Sequence, residues 1–286
     1  DDMLRQRSGH VLAQVRDSTG ARIAVDIVAL ARATAPLFDA GPRQLRDVGR
    51  EVATQFPGAP PSSLGDAACS LTPVLQTTPR AVWGSKGPAA YTTYRAWWGQ
   101  SPPALTSAEV LTARGELVLR YLASYGPAAT ADVRAWSGAT GFPEAVTALG
   151  DRVQRYRDER GRTLLDITGR PVLDPDLPQR AADLPVRFLP AFDNAVLGYA
   201  DRSRIIDDAH KPLSIAGARY VLIAGRVAGT WQADGWGGFG SESVTVEVAP
   251  LRRLTRVERS EVRQEAHALA TFLGGRPGRV TIDASR

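Results

Sequence analysis

A pattern of five residues recurs at one fixed offset, and this repeat limits the folds that are open to the chain. The five residues of the first copy are Leu37, Gly41, Pro42, Asp47 and Val48. The same residue types recur 85 positions later as Leu122, Gly126, Pro127, Asp132 and Val133. One match at such a distance would be chance, whereas five at the same offset indicate tandem copies of one structural unit.

Hydrophobic spacing predicts that each copy contains three helices followed by a β-hairpin. In the first copy it predicts helices over 23–38, 43–56 and 62–75, then strands over 77–83 and 90–97. In the second copy it predicts helices over 106–125, 130–136 and 143–149, then strands over 152–157 and 163–167. These spans follow from apolar residues at helical or alternating spacing, broken by Gly-Pro pairs. The order is typical of a winged helix-turn-helix.

The C-terminal third reads as strand-rich. After a linker rich in proline at 173–185, strands are predicted over 186–189, 220–224, 226–231 and 244–248. Thr255 and Glu258 have the spacing of a capping box that starts a helix, and Gly274-Gly275 should end it. We expect the tail after Arg276 to be loose. The predicted fold is α+β: winged helix-turn-helix modules at 1–100 and 101–180, followed by a β-rich C-terminal domain with a closing helix at 181–286.

The charge of the chain permits a nucleic-acid partner. Its net charge is +5, and only Lys86 and Lys211 among the 35 basic residues are lysine. Arginine suits bidentate phosphate contacts and stacking on bases. The second predicted hairpin concentrates such residues, and its candidate DNA-binding set is Arg152, Arg155, Tyr156, Arg157 and Arg162. Asp151, Asp158 and Glu159 dilute this charge, so an ordinary solvated hairpin is the alternative.

A second candidate site lies in the mostly apolar run 186–206. Its polar residues are Asp193, Asn194, Asp201, Arg202 and Arg204. Charged groups in an apolar setting must pair or hydrogen-bond, because burying a lone charge is very costly. One interpretation is a structural corner in which these residues cap turns and clamp one another. The other is a polar floor beneath a binding channel, and residue chemistry alone favours the structural corner.

Several function classes lack their motifs in this sequence. It contains no phosphate loop, no HExxH motif and no cysteine cluster, and Cys69 is its single cysteine. The predicted third helices of the two modules, 62–75 and 143–149, carry no arginine or lysine. A regulator that reads the major groove usually places Arg, Gln or Asn there. The composition of these helices therefore favours a structural role for them over base recognition by a transcription factor.

Several stretches together resemble one known family. They are Gly41-Pro-Arg-Gln-Leu-Arg-Asp-Val48, Arg120-Tyr-Leu-Ala-Ser-Tyr-Gly-Pro-Ala128, Leu189-Pro-Ala-Phe-Asp-Asn194, Asp201-Arg-Ser-Arg204 and Ala224-Gly-Arg-Val-Ala-Gly-Thr-Trp231. Over about residues 41 to 273 the chain resembles the winged-helix DNA glycosylases of the AlkZ/YcaQ type. The resemblance implies hydrolysis of the N-glycosidic bond of alkylated purines, including bulky adducts and interstrand crosslinks. It implies damaged double-stranded DNA as the partner and no metal or cofactor. The single cysteine fits a reducing cytoplasm and no apolar run is long enough to span a membrane, so we expect a cytoplasmic, nucleoid-associated monomer.

The chain departs from this family at the catalytic signature. The family carries Gln-x-Gln or Gln-x-Arg near its N-terminus, where amides orient water and stabilise an oxocarbenium-like sugar. This sequence contains no Gln-x-Gln, and Gln14-Val15-Arg16 lies too close to Gly41-Pro42 to match the family's spacing. We therefore expect a family member without its first winged helix and catalytic glutamines, and its catalytic residues are unknown. The alternative is a non-enzymatic DNA-binding or self-resistance protein on the same scaffold.

Overall fold

The computed structural model describes residues 21, 23–82, 87–101, 103–170, 184–235 and 243–283. The chain divides into two compact units. One comprises Asp1–Val110 with Gly138–Thr140, and the other comprises Leu111–Ser137 with Gly141–Arg286. Within the described ranges, no helix combines the length and the apolar character that crossing a membrane requires. The expected division into three domains, at 1–100, 101–180 and 181–286, stays a prediction.

The first unit contains a winged helix-turn-helix. Its helices and strands are α1 (Ile27–Asp39), β1 (Arg43–Gln44), α2 (Leu45–Val52), α3 (Pro61–Leu71), β2 (Val74–Thr77) and β3 (Ala90–Thr93). Asp26 begins α1 by accepting hydrogen bonds from the amides of Val28 and Ala29, at 2.9 and 3.1 Å. The three strands form a sheet in the order β1-β3-β2, with both pairings antiparallel. The order of helices and strands in this module confirms the sequence prediction.

The crossing of α2 and α3 is unusually close, and two glycines make it possible. A Cβ atom on Gly49 would lie 1.8 Å from the carbonyl oxygen of Pro61. One on Gly65 would lie 2.1 Å from the carbonyl oxygen of Leu45. Steric repulsion forbids a carbon and an oxygen atom to lie so close, and the close packing of the interior leaves the neighbouring backbone little room to move. The two helices can therefore meet only where both side chains are absent.

The wing of this module differs from the sequence prediction. The first strand was expected over 77–83 but lies at Val74–Thr77, and the expected turn overlaps residues 83–86, which are outside the described ranges. The second strand was expected to reach 97 but ends at Thr93, where helix α4 (Tyr94–Trp98) begins. The Thr93 hydroxyl accepts a hydrogen bond from the amide of Ala96 at 3.0 Å. This N-cap starts a helix in a run of aromatic residues that otherwise favours a strand.

The second copy has the same arrangement. Its elements are α5 (Ser107–Tyr125), α6 (Thr130–Ser137), α7 (Phe142–Leu149), β4 (Val153–Arg157) and β5 (Thr163–Ile167). Val48 and Val133, which are equivalent in the repeat, are both 0 % exposed. Arg43 pairs with Tyr91 in the first sheet, and its equivalent Ala128 forms an antiparallel bridge to Leu165. The 85-residue repeat is therefore a repeat of structure, and tandem winged helices are confirmed.

The C-terminal part is built on a five-stranded sheet in the order β10-β9-β8-β7-β6. The strands are β6 (Arg187–Phe188), β7 (Arg219–Ile223), β8 (Arg226–Asp234), β9 (Thr245–Pro250) and β10 (Arg279–Ile282). The α-helices among the described residues of this part are α8 (Asn194–Leu197), α9 (Lys211–Ile215) and α10 (Arg256–Gly274). Helix α10 packs Val262, Ala266 and Ala270 against the apolar face of the sheet.

The ends of α10 confirm one prediction and correct another. Thr255 and Glu258 form the capping box at its start, and Gly275 ends it in the left-handed conformation with φ 70°. Residues 279–282 of the tail after Arg276 are not loose, because they form β10 in parallel register with β9. Val280 and Ile282 pack against the core of the sheet. Their alternation with polar residues was a strand signal that the sequence interpretation passed over.

Candidate nucleic-acid interface

The hairpin of β4 and β5, the wing of the second module, carries its arginines on one face. Arg155 lies opposite Leu165 and Arg157 opposite Thr163, whereas Tyr156 lies opposite Leu164. Because successive side chains of a strand point to opposite faces, Tyr156 faces away from Arg155 and Arg157. The structure therefore separates the tyrosine from the two arginines with which the sequence grouped it.

The remaining arginines of the candidate set are held by carboxylates. Arg152 forms an ion pair with Glu116 at 3.0 Å, and the Nε atom of Arg162 lies 2.6 Å from Asp158. Arg155 and Arg157 are exposed, and neither forms an ion pair within the described part of the chain. Arg157 donates one hydrogen bond, to the carbonyl oxygen of Gly161 at 2.9 Å. Arg155 and Arg157 are thus the wing cations whose charge no carboxylate offsets.

The turn of the wing is fastened to the segment at 193–207, which we call the aspartate–arginine segment. One carboxylate oxygen of Asp201 accepts hydrogen bonds from the amide and the hydroxyl of Ser203, at 3.0 and 2.7 Å. The other lies 2.7 Å from Arg160 and 3.3 Å from Arg162. Asp201 therefore joins the wing to this segment, and it uses arginines that could otherwise contact a phosphate.

These hydrogen bonds and ion pairs lower the pKa of Asp201. The hydroxyl and the amide of Ser203, followed by the charges of Arg160 and Arg162, lower it to about 2. These groups favour the ionised carboxylate, because they donate hydrogen bonds or positive charge to it. The folded state thus binds this proton more weakly than the unfolded state, in which an aspartate has a pKa of about 3.9.

A pH-dependent stability difference is expected from this shift. The contribution of Asp201 should be fully present above about pH 5 and be lost as the pH falls from about 4 towards 2. We expect urea unfolding to show wild type more stable than Asp201→Asn at pH 6, with the gap shrinking by pH 3. A gap of equal size at both pH values would show that the ionisation of Asp201 does not stabilise the fold.

Other members of the segment have structural partners. Asp193 caps α8 by accepting a hydrogen bond from the amide of Ala195 at 2.7 Å, and Asn194 is the first residue of that helix. Arg202 donates to the carbonyl oxygen of Tyr199 at 3.2 Å and to the hydroxyl of Ser214 at 2.9 Å. These contacts correspond to the structural corner that the sequence offered as one interpretation.

Arg204 is placed differently from the other charged residues of the segment. It is exposed, and its guanidinium carbon lies 3.5 Å from the centroid of the Tyr199 ring. It forms no ion pair within the described ranges. Its own carbonyl oxygen accepts a hydrogen bond from Arg226 at 2.8 Å, which fixes the backbone beneath the side chain. Arg204 therefore presents a positioned cation to solvent.

Two tyrosines of α5 connect the second winged helix to the segment, and the sequence interpretation missed both. The Tyr121 hydroxyl donates to the carbonyl oxygen of Gly198 at 2.6 Å. The Tyr125 carbonyl oxygen accepts from the hydroxyl of Tyr199 at 3.0 Å. Burial, followed by the charge of Asp132, raises the pKa of Tyr121, so its hydroxyl stays a donor. The four-residue spacing of Tyr121 and Tyr125 was the available signal, since it places both rings on one helix face.

Asp132 makes a further connection. It is 5 % exposed, and its two carboxylate oxygens accept hydrogen bonds from the amides of Ala129 and Ala200, at 2.8 and 2.9 Å. The first bond belongs to the start of α6, and the second holds the aspartate–arginine segment against that helix. The sequence interpretation used Asp132 only as a member of the repeat and did not predict this role.

One hydroxyl in the third helix of each module is bonded within that helix. Ser70 donates to the carbonyl oxygen of Asp66 at 3.2 Å, and Thr147 donates to that of Pro143 at 3.0 Å. Such bonds satisfy a hydroxyl within its own helix. The expectation that these helices do not read base edges stays a prediction.

A shallow cavity of about 560 Å³ opens between the wing turn and the segment. Its lining combines the wing residues Arg157, Asp158, Glu159, Arg160 and Arg162 with Asp201, Ser203 and Arg204. The lining contains four arginines and three carboxylates, so its net charge is slightly positive.

In the described part of the chain, no group of three or more His, Cys, Asp or Glu residues is placed to hold a metal ion. Gln14-Val15-Arg16, which was compared above with the family's catalytic signature, lies outside the described ranges.

Comparison with known proteins gives one family and one solved structure. The family model described as "DNA glycosylase AlkZ-like" matches residues 2–272. The Streptomyces sahachiroi DNA glycosylase AlkZ matches with a TM-score of 0.60 and 18 % sequence identity. That alignment covers 98 % of this chain and 76 % of the other, and at this identity it supports the fold. A comparison with curated proteins finds no match.

Proposed function

The chain belongs to the AlkZ-like DNA glycosylase family, and we propose that it serves DNA repair by releasing alkylated purines from double-stranded DNA. The observation that carries the proposal is the family match over residues 2–272. The tandem winged helices on which the family match falls are in keeping with a DNA-acting protein. We further propose that damaged duplex, including bulky adducts and interstrand crosslinks, is the preferred substrate and that the protein acts as a monomer at the nucleoid.

We propose that the wing of the second module contacts the phosphate backbone through Arg155 and Arg157. Both are exposed, both lie on one face of β4, and neither is neutralised by a carboxylate within the described ranges. Phosphate contacts of this kind supply affinity and set the register on the duplex, but they carry no sequence information. A repair enzyme needs that combination, because damage occurs in any sequence.

Charge reversal at these two positions should weaken DNA binding and flatten its salt dependence. Each phosphate contact contributes about 0.9 to the slope of log affinity against log salt. We therefore expect Arg155→Glu with Arg157→Glu to lower the magnitude of that slope by about 2. Fluorescence anisotropy on one duplex across several salt concentrations measures it.

The matched control is the reversal of two exposed arginines on α10, Arg256→Glu with Arg263→Glu. It changes the net charge equally, so an unchanged slope there assigns the effect to the wing. Equal loss in both double variants would mean that only the overall charge matters. An unchanged slope in the wing variant would remove the wing from the interface.

Base release tests the proposed activity itself. The chain is incubated with a duplex containing 7-methylguanine, and free base is separated from DNA and quantified. Release above that of a heat-denatured sample supports the proposal, and Gln14→Ala should then leave the rate unchanged if residues 14–16 are a chance match. A parallel substrate with an interstrand crosslink distinguishes the proposed lesion classes.

A non-enzymatic role on the same scaffold is the second candidate. The observation that favours it is the absence of Gln-x-Gln from all 286 residues. A protein of this kind would bind damaged duplex as tightly as an enzyme but release no base. The same base-release assay therefore separates the two candidates, provided that binding to the substrate is measured alongside.

A further inference from the structure

We propose that Arg204 and Tyr199, with Tyr125 beside them, form a stacking site for a single nucleobase displaced from the duplex. This inference rests on the proposed function, because it assigns a subsite to the same DNA-binding surface.

The geometry is that of a prearranged platform. The Arg204 guanidinium lies 3.5 Å from the centroid of the Tyr199 ring, and Tyr199 meets Tyr125 edge to face at a centroid distance of 6.0 Å. The hydroxyl of Tyr199 donates to the carbonyl oxygen of Tyr125 at 3.0 Å, which fixes the ring that supports the guanidinium. A guanidinium held on a ring keeps its second face open, and bases stack on such planes.

The space beside the platform fits one base. A cavity of about 450 Å³ is lined by Tyr125, Tyr199, Arg204, Ile205 and Gly225, among others. Binding sites for small molecules begin at about 300 Å³ and are mostly apolar, with a few polar groups that fix orientation. Here the aromatic rings, Ile205 and a glycine supply the apolar lining, and Arg204 supplies the positive charge.

The platform borders the surface that the wing helps to form. Arg204 lines this cavity and also the cavity that contains the wing residues Arg157 and Arg160. A duplex held by the wing would therefore run past Arg204. A base leaving the stack at that point would meet the open face of the guanidinium.

The contact with Tyr199 leaves both the second face and the N–H edge of Arg204 free, so stacking must be distinguished from a phosphate contact by experiment. A phosphate would be bound by the N–H edge of the guanidinium, whereas a base would stack on the face opposite the Tyr199 ring. Lysine can replace arginine as a point charge but not as a flat stacking surface. Arg204→Lys therefore separates the two possibilities with a minimal change in charge.

The experiment compares two duplexes of equal length, one fully paired and one with a single bulged 2-aminopurine. We expect wild type to prefer the bulged duplex and to change the fluorescence of the analogue on binding. In Arg204→Lys the preference should fall about tenfold, which lies within the range for stacking of one base, while affinity for paired duplex is unchanged. Arg263→Lys, which makes the same exchange at an exposed arginine of α10, is the control and should retain the preference.

Two outcomes overturn the inference. If Arg204→Lys matches wild type on both duplexes while Arg204→Ala weakens both equally, Arg204 is a phosphate contact. If wild type shows no preference for the bulged duplex, no base is held there. Failure of wild type to bind any duplex would instead overturn the proposed function, and the paired duplex makes that case distinguishable.

Discussion

Replacing Gly49 with alanine is expected to destabilise the first winged helix by about 3 kcal/mol or more. The added Cβ atom would lie 1.8 Å from the carbonyl oxygen of Pro61, at the first residue of α3. No side-chain rotation relieves this clash, because the Cβ atom is attached directly to the backbone and the Pro61 oxygen belongs to the backbone. Helices α2 and α3 must move apart, which opens the packing around Val52 and Leu64.

Gly115→Ala supplies the matched control. Gly115 also lies inside a helix, but a Cβ atom there meets only the flexible end of Leu149, at 3.3 Å. The gain in helix propensity of up to about 1 kcal/mol should offset that contact. Urea denaturation of both variants measures the difference. If Gly49→Ala and Gly115→Ala have the same midpoint, the close crossing of α2 and α3 is not present in solution.

Asp132→Ala should cost about 2–4 kcal/mol, because it leaves two amides without their acceptor. The Asp132 side chain is almost fully buried and accepts hydrogen bonds from Ala129 and Ala200. A hydrogen bond to a charged group contributes about 1.5–3 kcal/mol, and both bonds here are part-buried. Loss of the second bond should also loosen the aspartate–arginine segment on α6, so binding to DNA should weaken as well.

The repeat supplies the control for this prediction at its equivalent position. Asp47 occupies the same place in the first module, but its side chain is 39 % exposed and pairs with Arg50 at 3.0 Å. Exposed pairs of this kind contribute about 0–1 kcal/mol. Urea denaturation should therefore find Asp47→Ala close to wild type. Equal losses for the two variants would contradict the network that joins Asp132 to Ala200.

Local rules predicted most of the fold because the decisive signals lay within a few residues of each other. The Gly-Pro pairs end helices at the same place in both modules, and Thr255 with Glu258 marks the start of α10. The strand predicted to reach residue 97 was wrong because a helix N-cap outweighed the preference of aromatic residues for strands. At Thr93, an N-cap began α4 inside a run of aromatic residues that favours strands.

The candidate site was less accessible from sequence, since its contacts join distant parts of the chain. The sequence placed the arginines on the wing but could not show that Asp201 pairs with Arg160 and Arg162, or that Asp158 pairs with Arg162. It also missed Tyr121 and Tyr125, whose partners lie 77 and 74 residues away. Pairing across such distances depends on the tertiary fold, which no local pattern encodes.

Hydrogen exchange on the chain, with and without an alkylated duplex, tests the account most directly. The account predicts slower amide exchange at 153–167 and at 199–206 when DNA is bound, because both line the proposed interface. Exchange over α10 and β10 (Arg256–Gly274 and Arg279–Ile282) should stay unchanged. Protection confined to α10 and β10, with none in the wing, would contradict the assignment of this surface to DNA.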